Sequence, residues 1–243
     1  MLFMDSLSGK YALVTGGTRG IGRAIAERLL HDGAAVAICG RSQVSVDQAV
    51  AEMRSFGRIF GTVADISRFD DVRALFAATD TEFGRLDILV NNAGQGLFKK
   101  LGDMTPEEWH LNIDLNLNGA FYCAHEALAR FVPSGGGFIV NISSLAARNP
   151  FSGGAAYNAS KFGLNGFTEA LMLDHRHDNV RVCSIMPGSV DTGFSGTPGK
   201  PRAADTSWMI APEDVAETVS MVLRMPARTM VSRVEIRPSR PAK

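Results

Sequence analysis

From Tyr11 to Ile236 short apolar runs alternate with longer amphipathic ones. The runs Tyr11–Thr15, Ala35–Cys39, Ile59–Ala64, Leu86–Asn91, Gly137–Ile142, Val180–Met186 and Met230–Ile236 read as strands. Several are apolar throughout, as parallel strands covered on both faces must be. Helical patterns lie between them, near residues 20–32, 43–56, 68–83, 105–131, 155–178 and 212–225. Thr105-Pro106-Glu107-Glu108 offers a cap followed by proline at the first helical position, and Ala211-Pro212-Glu213-Asp214 resembles it. Alternation from end to end predicts an α/β fold: a doubly wound parallel sheet of about seven strands, helices on both faces, joined by right-handed crossovers.

No linker and no internal repeat divides the 243 residues, so one domain over 1–243 is expected. The one long irregular stretch, Pro187–Ile210, is rich in Gly, Pro, Ser and Thr and carries Phe194 and Trp208. So long a loop in a compact domain reads as a substrate lid, near 188–211. A formal net charge of +0 argues against nucleic acid as a partner. No apolar run approaches the ~20 residues of a membrane span. Cys39, Cys123 and Cys183 read as reduced thiols of a cytoplasmic protein. Met1–Ser6 has an acid and no basic segment before an apolar core, so no secretory signal is expected. No Cys/His cluster has zinc spacing, and no metal is expected.

Thr15-Gly16-Gly17-Thr18-Arg19-Gly20-Ile21-Gly22 follows the first strand and opens the first helix. That is the context a dinucleotide loop requires: glycine permits a tight turn and close approach of a pyrophosphate, and the helix N-terminus offers free N–H groups. A purely structural strand-to-helix turn is the competing reading. An acid ending the second strand would bond a ribose 2′-OH and select NAD, whereas arginine suits a 2′-phosphate. Here the strand ends Ile38-Cys39-Gly40-Arg41-Ser42. Asp32 comes too early and Asp47 too late. Arg41, with Arg19 from the glycine loop, predicts NADP(H) over NAD(H), unless both are solvated surface groups. Asp65, after the third strand, is a candidate for the adenine amino group, and Asp65 or Ser67 for a helix N-cap.

Tyr157-Asn158-Ala159-Ser160-Lys161 puts a phenol and an ammonium one turn apart on one helix face. A nearby cation favours phenolate and lowers the tyrosine pKa from about 10, which suits acid/base work at neutral pH. Taken alone the pair reads first as a core tyrosine and a solvated lysine.

In company with the other motifs it resembles the short-chain dehydrogenase/reductase family, in its single-domain branch, at the level of the 3-oxoacyl reductases. The resemblance runs from about Gly9 to Ile236 and rests on Thr15–Gly22, Asn91-Asn92-Ala93-Gly94, Asn116 in Asn116-Leu117-Asn118-Gly119, Ser144, Tyr157 with Lys161, and Pro187-Gly188-Ser189-Val190-Asp191-Thr192. The glycine spacing differs from that of the extended, epimerase-like branch. The resemblance implies a Rossmann fold and hydride transfer between NADP(H) and a carbonyl or secondary alcohol. It implies Tyr157 as proton donor and acceptor, and Lys161 lowering its pKa and bonding the nicotinamide ribose. Ser144, thirteen residues before Tyr157, would polarise the substrate oxygen, with adjacent Ser143 the less favoured choice. Asn116 would hold a backbone kink and a proton-relaying water, Asn118 being the neighbouring alternative. Gly16, Thr18, Gly20, Ile21, Gly22, Ile66, Asn92, Ala93, Gly94, Pro187, Gly188, Val190 and Thr192 would line the cofactor, Thr192 bonding the carboxamide. Hydride from the 4-pro-S side follows by resemblance only.

One departure stands at the C-terminus: many members end the last strand with Asp-Gly-Gly, whereas this chain has Arg233-Val234-Glu235-Ile236-Arg237-Pro238. Gln95, Leu97, Phe98, Leu145, Phe151, Phe194, Trp208 and Met209 are candidate pocket walls, and most are apolar. They favour an apolar or aromatic small-molecule carbonyl. A 3-oxoacyl thioester reductase, an NAD-linked alcohol dehydrogenase and a non-catalytic NADP-binding sensor are the alternatives. His175 and His177 point different ways on a helix and make a poor metal pair. The helices at 105–131 and 155–178 are apolar on two sides and predict a homo-dimer or homo-tetramer.

Overall fold

The computed structural model describes residues 6–194 and 205–241. The opening segment read above for a signal (1–5) and the middle of the predicted lid (195–204) lie outside the described residues. The strands are β1 (Tyr11–Val14), β2 (Ala35–Gly40), β3 (Ile59–Val63), β4 (Ile88–Asn91), β5 (Gly137–Ile142), β6 (Val180–Pro187) and β7 (Arg233–Ile236). They form one sheet in the order β3-β2-β1-β4-β5-β6-β7, and every neighbouring pair is parallel. The helices are α1 (Gly20–His31), α2 (Gln43–Met53), α3 (Phe69–Phe83), α4 (Pro106–Ile113), α5 (Gly119–Phe131), α6 (Ala155–His175) and α7 (Pro212–Leu223).

Alternate side chains of a strand leave on opposite faces. Ala12 and Val14 join residues of α1, α2 and α7 in one core. Leu13 joins α3, α5 and α6 in the other. Burying an aliphatic side chain contributes about 1.5–3 kcal/mol, so both faces of the central strands retain apolar residues. That is why β1 and β4 show no polar–apolar alternation. The order reverses beside β1, which pairs with β2 on one side and β4 on the other. The loops leaving β1 and β4 therefore diverge, and a crevice opens beyond their C-terminal ends. This is the Rossmann-type doubly wound sheet that the alternation predicts.

The helical pattern over 105–131 is not one regular helix. α4 passes into α5 through a π-helical stretch, Asp114–Asn118, closed by the Gly119 N–H on the Asp114 carbonyl. The Thr105 cap is present, its hydroxyl accepting from Glu108 N–H at 3.3 Å while Glu108 accepts from Thr105 N–H at 2.9 Å. At Ala211 only the reverse bond forms, from its N–H to Asp214 at 3.0 Å. α6 ends at His175; Arg176–Asp178 tighten into a 3₁₀ turn and Asn179 turns the chain at φ 59°.

The two described ends of the predicted lid are tied together. Asp191 N–H bonds the Ile210 carbonyl at 2.9 Å, and Ile210 N–H bonds the Ser189 carbonyl at 3.0 Å. The Thr206 hydroxyl adds a bond to Asp191 at 2.8 Å.

Candidate active site

The glycine loop lies against the loop that leaves β4. The Thr15 hydroxyl accepts from Asn92 N–H at 3.0 Å and Ala93 N–H at 3.1 Å. The Asn92 amide returns a bond to the Thr15 carbonyl at 2.9 Å. Contact is too close for side chains: a Cβ on Gly22 would sit 2.3 Å from both the Asn92 Nδ2 and the Gly16 carbonyl oxygen. Gly20 has φ 55° and faces Thr192. Arg19 is the N-cap of α1 and makes no side-chain capping bond, so the first N–H groups of that helix have no side-chain cap. Gly16, Thr18, Gly20, Gly22, Asn92, Ala93 and Thr192 are thus brought around one helix N-terminus, while Gly94 lies against Asn116. Ile21 and Val190 pack on the core beneath it.

At the end of β2, a Cβ on Gly40 would meet the Thr18 methyl at 2.8 Å. Thr18 therefore occupies the space above the position where an acid would stand. Arg19 and Arg41 are exposed, and neither has an ion-pair partner among the described residues. Asp65 is turned to local work: its Oδ1 accepts from the Ser67 N–H at 3.0 Å and hydroxyl at 2.7 Å. The N-cap of α3 is Arg68, not Asp65 or Ser67. Ile66 is buried against Gly119.

Tyr157 and Lys161 lie in the first turns of α6, beside the C-terminal ends of β5 and β6. The Lys161 ammonium donates to the Ile142 carbonyl at 2.9 Å and stands 5.8 Å from the Tyr157 ring centroid. Burial pushes its pKa down to about 8. Burial also pushes the Tyr157 phenol above its ordinary value, and a hydrogen bond with Ser144 acts in the opposite direction. The phenol thus stands above its ordinary value, where the spacing predicts one below it, because burial outweighs the Ser144 hydrogen bond. Ser144 also accepts from Ala146 N–H at 3.1 Å, at the start of the short turn 145–147. Ser143 differs: its hydroxyl is buried and has no hydrogen-bond partner among the described residues. Of the two serines, only Ser144 reaches the phenol.

Asn116 lies within the π stretch. Its Oδ1 accepts from Gln95 N–H at 2.9 Å, and its Nδ2 donates to the Gln95 carbonyl at 2.9 Å and the Ser160 hydroxyl at 3.0 Å. The Asn118 amide instead reaches Asp114. Asn112, one turn before Asn116 and fully buried, accepts from Leu97 N–H at 3.2 Å. The Gln95 side chain is bonded to the Leu111 carbonyl. Sequence reasoning missed Asn112, Ser160 and Thr15 as side chains that hold the site. The signal for Asn112 was its place four residues before Asn116 on one face.

Behind the site a buried polar chain crosses sheet and helix. Asn91 of β4 donates to Asn141 of β5 at 2.9 Å, and Asn141 donates to Thr168 of α6 at 2.8 Å.

Three of the expected pocket residues surround the phenol. Ring centroids of Phe98, Phe151 and Phe194 lie 5.3, 6.4 and 6.2 Å from that of Tyr157. Leu145 packs beside Gly188, whose N–H bonds the Ile236 carbonyl next to Pro187 in the sheet. The structure does not bring Trp208 to this cluster through any ring contact among the described residues. Its indole N–H bonds the Asp205 carbonyl within its own turn, and Met209 belongs to the same turn. The atypical C-terminal segment is held by Glu235, which pairs with Arg148 at 2.6 Å and Arg237 at 2.8 Å. His175 pairs with Asp178 at 2.9 Å.

Sheet order, glycine turn and crevice define a dinucleotide-fold oxidoreductase. The family model for short chain dehydrogenases matches residues 10–202. Dehydrogenase/reductase SDR family member 4 of Oryctolagus cuniculus is 41% identical over 193 residues, covering 79% of this chain and 74% of the relative. A 3alpha-hydroxysteroid dehydrogenase of Mediterraneibacter gnavus is 38% identical, covering 76% of each chain. A metagenomic short-chain oxidoreductase crystallised with NADP superposes with TM-score 0.84 and 34% identity, over 98% of this chain and 100% of that one. An alcohol dehydrogenase from the archaeon Thermococcus sibiricus, complexed with 5-hydroxy-NADP, gives 0.86 and 30%, over 96% and 99%. The chain belongs to the short-chain dehydrogenase/reductase family.

Proposed function

We propose that this protein is an NADP(H)-dependent reductase of an apolar carbonyl compound, working in reverse as an alcohol dehydrogenase. The observation that carries the reading is the convergence of Ser144, Tyr157 and Lys161 at the mouth of the crevice, with Ser144 bonded to the phenol. The nicotinamide, when bound, would supply the hydride. The residues present fit such a group: an uncapped helix N-terminus, glycines too crowded to carry a Cβ, and two exposed arginines without ion-pair partners among the described residues. Arg19 and Arg41 would take a 2′-phosphate, while the Asn92–Gly94 loop, Pro187, Gly188 and Thr192 would border the rest.

Negative charge develops on the substrate oxygen as the carbonyl is reduced. Ser144 donates a hydrogen bond to that oxygen, and Tyr157 gives it the proton. A phenol held above its ordinary pKa stays protonated at neutral pH, which suits the reductive direction. Lys161, held by Ile142, keeps a positive charge one turn away and favours the phenolate left behind. Asn116 fixes the loop that closes over the phenol. NADP-bound neighbours support the cofactor choice, and hydroxysteroid dehydrogenase relatives support an apolar substrate. No helix among the described residues is long and apolar enough to cross a membrane. Half-exposed Leu111, Phe121, Phe162 and Leu173 on α4, α5 and α6 support association of copies through these helices. Sedimentation should give a dimer or tetramer; a monomer at micromolar concentration overturns that part.

The test is a panel of ketones, aldehydes and 3-oxoacyl thioesters with NADPH, followed at the cofactor's absorbance. Turnover of ketones that vanishes in Tyr157→Phe, with NADPH binding retained, is the expected result. Near-normal turnover in that variant rejects Tyr157 as donor. Binding of NADPH with no reduction across the panel favours a sensor.

A further inference from the structure

We propose that Asn158 is a positioning residue for the reduction: it ties the turn that carries Ser144 to the helix that carries Tyr157, and so sets where the serine hydroxyl stands beside the phenol. This rests on Tyr157 as proton donor and Ser144 as the group that polarises the substrate oxygen. Asn158 follows Tyr157 in α6 and is buried. Its Nδ2 donates to the Ala146 carbonyl at 2.7 Å, and its Oδ1 accepts from Phe151 N–H at 3.4 Å. Both bonds cross from the helix to the loop that leaves Ser144.

Ala146 passes the constraint on. Its N–H donates to the Ser144 Oγ at 3.1 Å, while its carbonyl is held by Asn158. A ring of contacts therefore closes. It runs from Tyr157 to Asn158 along the chain, from Asn158 to Ala146, from Ala146 to Ser144, and from Ser144 back to the phenol. The Ala146 N–H takes one lone pair of the serine oxygen, so the hydroxyl hydrogen remains for the phenol or the substrate oxygen. Within the turn, Ala147 N–H bonds the Ser144 carbonyl at 3.0 Å and Asn149 N–H the Leu145 carbonyl at 2.9 Å. Such local bonds fix the shape of the turn and leave its distance from α6 open. Arg148, at the far end, is paired with Glu235 of β7 and not with the helix.

Gly154 makes room for the tie. A Cβ there would lie 2.3 Å from Asn158 Oδ1 and 2.7 Å from Phe151 Cε2, both ends of side chains. Gly154→Ala therefore pushes the Asn158 amide off its partners without altering Ser144 or Tyr157.

The experiment is a double-mutant cycle, read as kcat and KM with NADPH and acetophenone, cyclohexanone or 1-phenylpropan-2-one. Asn158→Leu keeps the branched outline of the side chain and removes both hydrogen-bonding groups. It should lower kcat at least about tenfold, since a misplacement of about 1 Å costs up to about a hundredfold. KM, NADPH affinity and circular dichroism should not change. In a Ser144→Ala background, with residual rates followed at high enzyme concentration, the same substitution should lower kcat less than about twofold, because the group it positions is gone. Gly154→Ala should repeat both results, and it decides the matter if Asn158→Leu does not fold. An equal loss in both backgrounds, a change in KM alone, or wild-type kcat in both variants overturns Asn158 as a positioning residue and leaves the proposed function standing. Near-normal turnover in Tyr157→Phe or Ser144→Ala, or failure of the wild type to reduce any of the three ketones, overturns the underlying function and this role with it.

Discussion

The Asn116 carboxamide pairs with both polar groups of the Gln95 backbone, accepting from its N–H and donating to its carbonyl, each at 2.9 Å. One side chain in a π stretch thereby fixes a loop 21 residues earlier in the chain. Asn116→Ala would strand those groups and remove one of the two bonds of the Ser160 hydroxyl, which keeps its bond to the Tyr157 carbonyl. Leaving buried polar groups unpaired costs about 1–3 kcal/mol each, discounted where water can enter. A loss of about 2–4 kcal/mol in urea unfolding is expected. A loss below about 1 kcal/mol would show that the loop is held elsewhere.

Lys161 predicts a pH dependence. Its folded pKa of about 8 lies below the ordinary 10.5. Between those values the unfolded chain binds a proton that the folded chain has released, so stability rises with pH across that window. Below pH 8 the group is charged in both states, and its burial penalty is constant, at about 3 kcal/mol. Lys161→Met removes the penalty. The variant should therefore exceed the wild type most at pH 7, and the gap should close toward pH 10.5. Urea titrations at pH 7, 9 and 10 measure it; a constant gap would refute the assignment.

Arg41 is the simplest test of cofactor choice. Arg41→Asp supplies an acid beside Gly40 and removes a cation. The ratio of kcat/KM for NADPH to that for NADH should fall at least about tenfold, the equivalent of about 1.4 kcal/mol. An unchanged ratio would make Arg41 a solvated bystander.

Gly22→Ala tests the crowding of the glycine loop. The new methyl would strike the Gly16 carbonyl and the Asn92 amide, the first of which is backbone and cannot swing aside. Overpacking of this kind costs about 1–3 kcal/mol. A lower melting temperature and weakened NADPH binding are expected together. Wild-type values of both would mean that the two loops are not in contact in solution.

The sheet was legible because strand and helix periods differ and the apolar runs follow them closely. The catalytic candidates were legible because their spacing is local: Ser144 ends a strand, and Tyr157 and Lys161 share one helix face. The residue pattern over Asp114–Asn118 is helical, so the π stretch was legible only as the backbone kink that the family resemblance implied at Asn116. The balance of pKa shifts at Tyr157 was not legible, because spacing reveals a neighbouring ammonium but not how dry the phenol is. Asn112 resembled an ordinary helical asparagine until its partner, the Leu97 N–H, was brought to it by the fold. Trp208 was assigned to the pocket by its aromatic character, yet its indole serves its own turn. Long-range loop placement depends on contacts that no local pattern encodes.

The chain of bonds from Asn91 through Asn141 to Thr168 acts as an indexing pin for α6. Thr168 lies seven residues beyond Lys161, about two turns along the same helix. One residue gained or lost between them would rotate the phenol and ammonium by about 100° relative to the sheet. Homologous chains should therefore tolerate insertions after Thr168 far better than between Tyr157 and Thr168, whatever substrate they take.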